Sequence, residues 1–444
     1  SKLFKKKVFV IAFTAVCSLE IIANAAYGFG DNGYADYHGN YNTSPAVTAA
    51  YDKVRAIEAV NNNGFYRAEL MDSKVLDEAT WYSMPSVGTF CSTVLGEAVH
   101  TMGRLGFYTG ANEFLYMGST PFTNSIFNVK YLFYREGDLN NYAFDYMTEE
   151  QGVGIYKNPY PLSLGFAVSE SVKDWNRDDN LPLNGQNSLA FAMTGGVPFM
   201  NTVLPGLMVT SDTCTATVNN QTITYTPDKA GDASFMVAFS APRDGDYYIN
   251  CRGNSINKIH IYINGEEYAY DRYQIQIFHL GKLSEGDYVS VEYCYKNISD
   301  SQATASLYMA TFDEVAYRSV YEDLYKNMLD VDDYDDGYVH GTINIDEGQT
   351  LFTSIPYDKG WTLKVDGKKA DYYKVCGAFI GADLDVGEHE IEFIYTPEGL
   401  YIGIAVTLVS MLVFILGLMH NSNKNASEKL VKNNNNEIDR NSNV

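Results

Sequence analysis

Two predominantly apolar stretches, Val8 to Ala26 and Tyr401 to Met419, bracket a long interior in which apolar and polar positions alternate. Each run approaches the roughly 20 residues that a helix needs to cross a bilayer. Residues 1–26 and 400–420 are therefore predicted to be transmembrane helices. Lys2, Lys5, Lys6 and Lys7 precede the first, and Lys424, Lys429 and Lys432 follow the second. The positive-inside rule then places both ends in the cytoplasm and everything between them outside. Ala23-Asn24-Ala25 also suits a signal-peptide cleavage site, which keeps a cleaved leader open as a rival to the first anchor. Glu20, late in the first run, suits a helix packed against other helices, and the chain starts without Met. Together these point to the tail of a longer protein with further spans upstream.

Between the anchors, the period changes along the chain. Ser44-Pro45 forms an N-cap and first-turn pair, followed by Val47, Tyr51 and Val54 at helical spacing until Asn61-Asn62-Asn63-Gly64. Val94, Ala98, Met102 and Leu105 predict a second helix from Thr93 to Gly106. Strand-like runs at Gly64–Leu70 and Val129–Tyr134 surround these helices, so residues 27–212 read as an α+β domain. Residues 213–318 alternate more strictly, at Ala233–Phe239, Asp246–Ile249, Lys258–Ile263 and Tyr288–Tyr293, and read as a β-sandwich. Residues 319–399 read as a helix carrying Val320, Leu324 and Met328, an acidic linker, and a second β module from Gly341 to Tyr395. Residues 421–444 read as a disordered cytoplasmic tail.

The two β modules share an internal repeat. Ile259–Ile263 with Asn264-Gly265, then Gly286–Tyr293, parallels Trp361–Val365 with Asp366-Gly367, then Gly387–Phe393. The paired glycines stand 21 and 20 residues apart. Each unit is a strand, a tight turn, a returning segment and a glycine-led strand.

The chain carries a net charge of −23. Eight of its 32 basic and four of its 55 acidic residues lie outside positions 27–400, which leaves the outer region at −27. Such a surface repels nucleic acid and other polyanions. Five of the six cysteines lie outside the first anchor, widely spaced, and define no disulfide framework; one bridge among Cys214, Cys251 and Cys294 competes with buried free thiols.

Familiar motifs fail on context. Gly28-x-Gly30-x-x-Gly33 follows a membrane segment rather than a strand. An EF-hand register through Gly337 would place Tyr334 and Ile343 at ligand positions, which leaves Asp330, Asp332, Asp333, Asp335 and Asp336 as a solvated linker or a looser calcium site. The histidines show no His-Glu-x-x-His and no cluster with cysteine at ligand spacing, so a zinc hydrolase finds no support and no metal-ligating residue is assigned, with a need for divalent metal left open. Cys91 and His100, nine residues apart near one helix, lie about 13 Å apart along its axis, too far for a nucleophile and base. Most of the 36 tyrosines suit sheet packing. Arg67 and Glu69 point the same way from a strand and form either a surface ion pair or a polar site for phosphate or sugar.

Several segments resemble the bacterial YfhO family of polytopic membrane proteins, which have a GT-C glycosyltransferase-like organisation. They are Gly64-Phe65-Tyr66-Arg67, Ser86–Thr93, Asn128-Val129-Lys130-Tyr131, Tyr156–Phe166, Ser354–Trp361 with Val365–Lys368, and Tyr395–Leu400. The resemblance implies sugar transfer at the outer membrane face from a polyprenyl-phosphate donor to lipoteichoic acid or another envelope glycopolymer. It implies as partners the bilayer, those glycans and upstream membrane helices, and no nucleic acid. A GT-C enzyme keeps its catalytic carboxylate in an early loop between membrane helices, and no such loop is found here, so no catalytic residue carries over. Arg67, Glu69, Lys157 and Asn158 remain as candidate substrate contacts. The alternative is a membrane-tethered module that binds glycan without chemistry.

Overall fold

The computed structural model describes residues 12–24, 43–61, 64–71, 73–135, 143–272 and 276–419, with Val8 and Leu139. The glycine motif at Gly28, the basic flanks of both apolar runs and residues 421–444 lie outside them. Among the described residues, Leu400–Met419 is the one helix long and apolar enough to span a membrane; a shorter apolar helix covers Ala12–Asn24. Of the two expected anchors, the second therefore stands as a full-length candidate. The first is described over 13 residues.

A four-stranded sheet opens the region between the two apolar helices, ordered Arg67–Leu70, Val129–Tyr134, Val153–Lys157, Asp145–Glu150. Its first two strands run parallel, which demands a long crossover; residues 71–128 provide it, with the helices Gly96–Arg104 and Pro121–Ile126. The Pro45–Asn61 helix lays Val47, Ala50 and Val54 on Tyr131, Phe133 and Ile155 of one sheet face. Leu132, pointing the other way, joins a larger core with Phe107, Phe122 and Phe166. The first crossover helix starts at Gly96 rather than Thr93, whose hydroxyl instead lies 3.1 Å from the Cys91 thiol.

Residues 200–312 build a sandwich. One sheet runs Met208–Thr210, Gly231–Ser240, Tyr288–Ile298, Ile256–Ile263, Glu266–Arg272. The facing sheet centres on Ala303–Phe312 and Gly245–Gly253. Phe235, Ile261 and Val291 from the first meet Ile249, Cys251 and Leu307 from the second in a shared core. Cys214, Cys251 and Cys294 are all free thiols.

The repeat is real at the level of topology. A second five-stranded sheet runs Asp330–Asp335, Tyr338–Ile345, Gly387–Tyr395, Trp361–Val365, Lys368–Ala370. In both sheets the glycine-led strand lies between a preceding long strand and the hairpin of the repeat. Register pairs Ile261 with Val291 and Leu363 with Phe393. Asn264-Gly265 and Asp366-Gly367 have φ of 51° and 88°, and 52° and 73°, the doubly left-handed turn that matches strand twist in a two-residue hairpin.

Two features depart from the sequence reading. The acidic stretch expected as a linker is the edge strand Asp330–Asp335, whose aspartates are all exposed while Val331 is buried. The partner sheet of the second sandwich borrows Gly165–Ser169 from far upstream, paired antiparallel with Gln349–Pro356. Leu164 and Ala167 consequently share a core with Leu351, Leu363 and Ile391.

Candidate functional site

Gly64-Phe65-Tyr66-Arg67 enters the first sheet under tight constraint. Gly64 has φ +33°, and a Cβ there would meet the Val331 carbonyl oxygen at 2.6 Å. Asn128 Nδ2 donates to the Phe65 carbonyl at 2.8 Å, and the Phe65 ring packs edge-on against Tyr334 at 5.3 Å. The segment is thereby clamped between the second sandwich and the turn after Pro121–Ile126.

Arg67 opens the strand, and its guanidinium turns inward. Nη1 donates to the Phe127 carbonyl at 2.8 Å and to Ser354 Oγ at 2.9 Å, and Nη2 to the Ser354 carbonyl at 3.3 Å. Among the described residues no carboxylate forms an ion pair with it. Desolvation pulls its pKa down to about 10, partly opposed by Glu69. A half-buried cation whose partners are all neutral retains part of its desolvation cost and favours an incoming anion.

Glu69 acts on the other side of the same wall. One carboxylate oxygen accepts the backbone N–H of Val87 and that of Gly88, the latter at 3.1 Å. Burial pushes its pKa up to about 7 against those two bonds and the pull of Arg67. It fixes the loop Ser86–Thr93, so the two residues expected to share a ligand divide the work: one faces a cavity and the other shapes its wall.

That cavity has a volume of about 420 Å³. Arg67 and Ser354 lie at its polar side; Val94, Met102, Phe127 and Phe379 are among its apolar walls. Cys91 stands exposed at its lining, its pKa lowered by the hydrogen bonds from Thr93. His100 is engaged elsewhere, 3.1 Å from Asp178 and 3.3 Å from Arg104, in keeping with the expected separation from Cys91.

Tyr66 points to the opposite side of the strand, into a second cavity of about 610 Å³ between the Pro45–Asn61 helix and the Asp330–Asp335 strand. Asp52, Arg55, Glu58, Asp332 and Tyr334 join it there. Lys130 and Tyr131 hold the Glu58 carboxylate. His340 takes Asp332 at 2.5 Å and Glu390 at 2.9 Å. Asp332, expected in a solvated linker or a loose calcium cluster, is thus paired with an imidazole.

Lys157 and Asn158 lie at neither cavity. Lys157 is exposed at the end of its strand. Asn158 is buried, with Nδ2 on the Val129 carbonyl at 2.9 Å and Oδ1 accepting Tyr160 N–H at 2.8 Å, the bonding of a turn support. The sequence reading missed Ser354 and Phe127 as the neighbours of Arg67; the one signal for Ser354 was its place in the Ser354–Trp361 motif.

The family model described as bacterial membrane protein YfhO matches residues 1–407. The chain belongs to this family. It is a membrane protein of β-rich, sandwich-like architecture with a few helices. A YfhO relative of Bacillus subtilis (strain 168), described as an uncharacterized protein, is 21% identical over 296 residues, covering 62% of this chain and 33% of that protein. The chain thus spans about a third of that YfhO protein's length. Among solved structures, a family 29 carbohydrate-binding module is similar at 8% identity and TM-score 0.17, over 26% of this chain and 85% of that one. A family 35 carbohydrate-binding module from Clostridium thermocellum is similar at 12% identity and TM-score 0.15, over 26% and 96%. A PA14 sugar-binding domain from an RTX adhesin is similar at 16% identity and TM-score 0.14, over 19% and 47%. Scores of this size carry no argument about ligand or activity. In this YfhO-family chain, the segments Gly64–Arg67, Ser86–Thr93 and Ser354–Trp361 meet at the Arg67 cavity although nearly 300 positions separate the first from the last.

Proposed function

We propose that this chain is the C-terminal, extracytoplasmic part of a multi-pass YfhO-family membrane glycosyltransferase, which transfers sugar from a polyprenyl-phosphate donor to lipoteichoic acid or another envelope glycopolymer. The reading is carried by the convergence of three family segments on a cavity with apolar walls and one half-buried, inward-turned arginine. A guanidinium binds phosphate oxygens through a planar fork, and apolar walls accept a hydrocarbon or the flat face of a sugar. A volume near 420 Å³ lies within the common range of small-molecule sites, about 300–1,000 Å³.

The strand carrying Arg67 also supports a division of labour. Tyr66 and Tyr334 offer rings, and Asp52 and Arg55 offer hydrogen-bonding groups, to the wider cavity behind it. Aromatic faces with planar polar groups suit sugar hydroxyls and rings, so the wider cavity is assigned to the acceptor glycan and the Arg67 cavity to the phosphate-bearing partner. In this reading the chemistry takes place at further membrane helices of the longer protein, and the outer region holds the reactants.

The test is sugar transfer from a polyprenyl-phosphate donor in membranes. The full-length gene product, the present chain and full-length Arg67→Ala are compared. Transfer by the full-length protein alone, weakened by the substitution, supports the proposal. No transfer by any of the three, together with glycan binding by the present chain, overturns it in favour of a tethered binding module.

A further inference from the structure

The outward face of the first sandwich brings His260 beside Glu292 and Cys294, which lie 32 and 34 positions further along the chain. His260 lies on Ile256–Ile263, and Glu292 and Cys294 lie on the neighbouring Tyr288–Ile298 strand. Register sets His260 directly opposite Glu292, and Cys294 follows two residues on, so all three project from one face. The alternate residues Ile259, Ile261, Val291 and Tyr293 are fully buried in the core beneath. The imidazole, carboxylate and thiol donor atoms lie within 4.8 Å of one another, and all three residues are half-buried.

Glu267, on the adjoining strand, meets His260 Nδ1 at 2.9 Å. A carboxylate on one ring nitrogen fixes the tautomer and the orientation of the ring, the usual outer support of a metal-bound histidine. The strands concerned are interior to a five-stranded sheet, so the backbone positions are set by ladders on both sides.

We propose that His260, Glu292 and Cys294 form a binding site for a divalent transition-metal ion, with zinc as the occupant. The donor set makes the choice. Thiolate and imidazole suit zinc and its neighbours, whereas calcium and magnesium call for oxygen alone. Tetrahedral zinc with these ligands would space donor atoms about 3.3–3.8 Å apart, which small side-chain rotations reach from the present cluster. Three protein ligands leave a fourth position open toward solvent for water or for an oxygen of a bound molecule.

Binding converts the Cys294 thiol to thiolate, its proton passing to solvent as the sulfur–metal bond forms. Burial and the neighbouring Glu292 hold the metal-free thiol near pKa 11, with Lys258 pulling the other way. Occupancy therefore tightens as pH rises. No redox partner is needed, because zinc and sulfur keep their oxidation states.

The experiment uses the full chain purified in detergent, stripped with a chelator and titrated with Co²⁺ and then Zn²⁺. A single cobalt equivalent with a thiolate-to-metal charge-transfer band, displaced by zinc, is expected. The band should vanish in Cys294→Ser and persist in Cys91→Ser. Glu267→Gln should weaken binding about 10–100-fold. Zinc should also slow alkylation of Cys294 in the unaltered protein at least tenfold, with exposed Cys91 unaffected as an internal reference. Absence of the band, its survival in Cys294→Ser, or alkylation of Cys294 indifferent to zinc overturns the site. The alkylation arm decides even where a variant fails to fold.

Discussion

Arg67 and Glu69 stand two residues apart on one strand with opposite charges, yet no hydrogen bond or ion pair joins them. The arginine bridges to Phe127 and Ser354, and the glutamate pins the loop at Val87 and Gly88. The strand spends each charge on a different chain segment, and the cavity between those segments is the result.

Replacing Arg67 should weaken the fold and any anion binding separately. Arg67→Ala leaves the Phe127 and Ser354 carbonyls without their donor, a loss of about 1–3 kcal/mol in chemical denaturation. Arg67→Lys keeps the charge but cannot bridge both partners, so it should recover part of the stability and little of the binding of a phosphate-bearing amphiphile. Equal behaviour of the two variants in both assays would contradict the fork geometry.

Glu69 makes a pH prediction. Its folded pKa of about 7 lies above that of an unfolded glutamate, so the folded state binds the proton more tightly. The protonated group's stabilising contribution is present below about pH 4.5 and is lost as pH rises to about 7, a change of up to about 3 kcal/mol. Glu69→Gln, which keeps an acceptor for Val87 and Gly88, should flatten the stability profile across that window. An unchanged slope in the variant would assign the pH dependence to other groups.

His340 acts locally on the acidic edge strand. Hydrogen bonds to Asp332 and then Glu390 raise its pKa, so the imidazolium persists above the ordinary histidine range. The stabilisation is complete below about pH 6.5 and disappears as pH climbs through the raised value. Hydrogen exchange of Asp330–Asp335, corrected for intrinsic rates, should accelerate over that interval. His340→Gln should exchange faster already at low pH and show no such step.

Gly64→Ala should destabilise the join between the first sheet and the second sandwich by about 1–3 kcal/mol. Its Cβ would meet a backbone carbonyl, which cannot rotate aside. The denaturation midpoint should fall, and Asp330–Asp335 should lose exchange protection before the first sandwich does. Uniform loss across both sandwiches would place the strain elsewhere.

Much of the architecture follows from short-range patterns. Alternation along Ala233–Phe239 and Lys258–Ile263, the turns at Asn264-Gly265 and Asp366-Gly367, and the helix start at Pro45 are local chemistry, so strands, hairpins and the first helix could be read directly from them. The repeat carried further information, because equal spacing between turn and glycine-led strand imposes equal strand order. Charge density misled at Asp330–Asp335, where an edge strand tolerates carboxylates on its outer face. Lys157 and Asn158, which sit in a family motif, stand at a strand end and a turn, a placement that spacing along the chain does not reveal.

The sequence by itself determined the apolar terminal segments, the acidic region between them, the sandwich strands and the resemblance to the YfhO family, since each is written in neighbouring residues. Only the tertiary structure decided that Gly165–Ser169 completes the second sandwich, that Arg67 reaches Ser354, and that His260 meets Glu292 and Cys294. Those contacts depend on sheet register and on which strands pair across a hundred or more positions or between separate strands. Such pairing is selected by burial of the whole core and leaves no spacing rule along the chain.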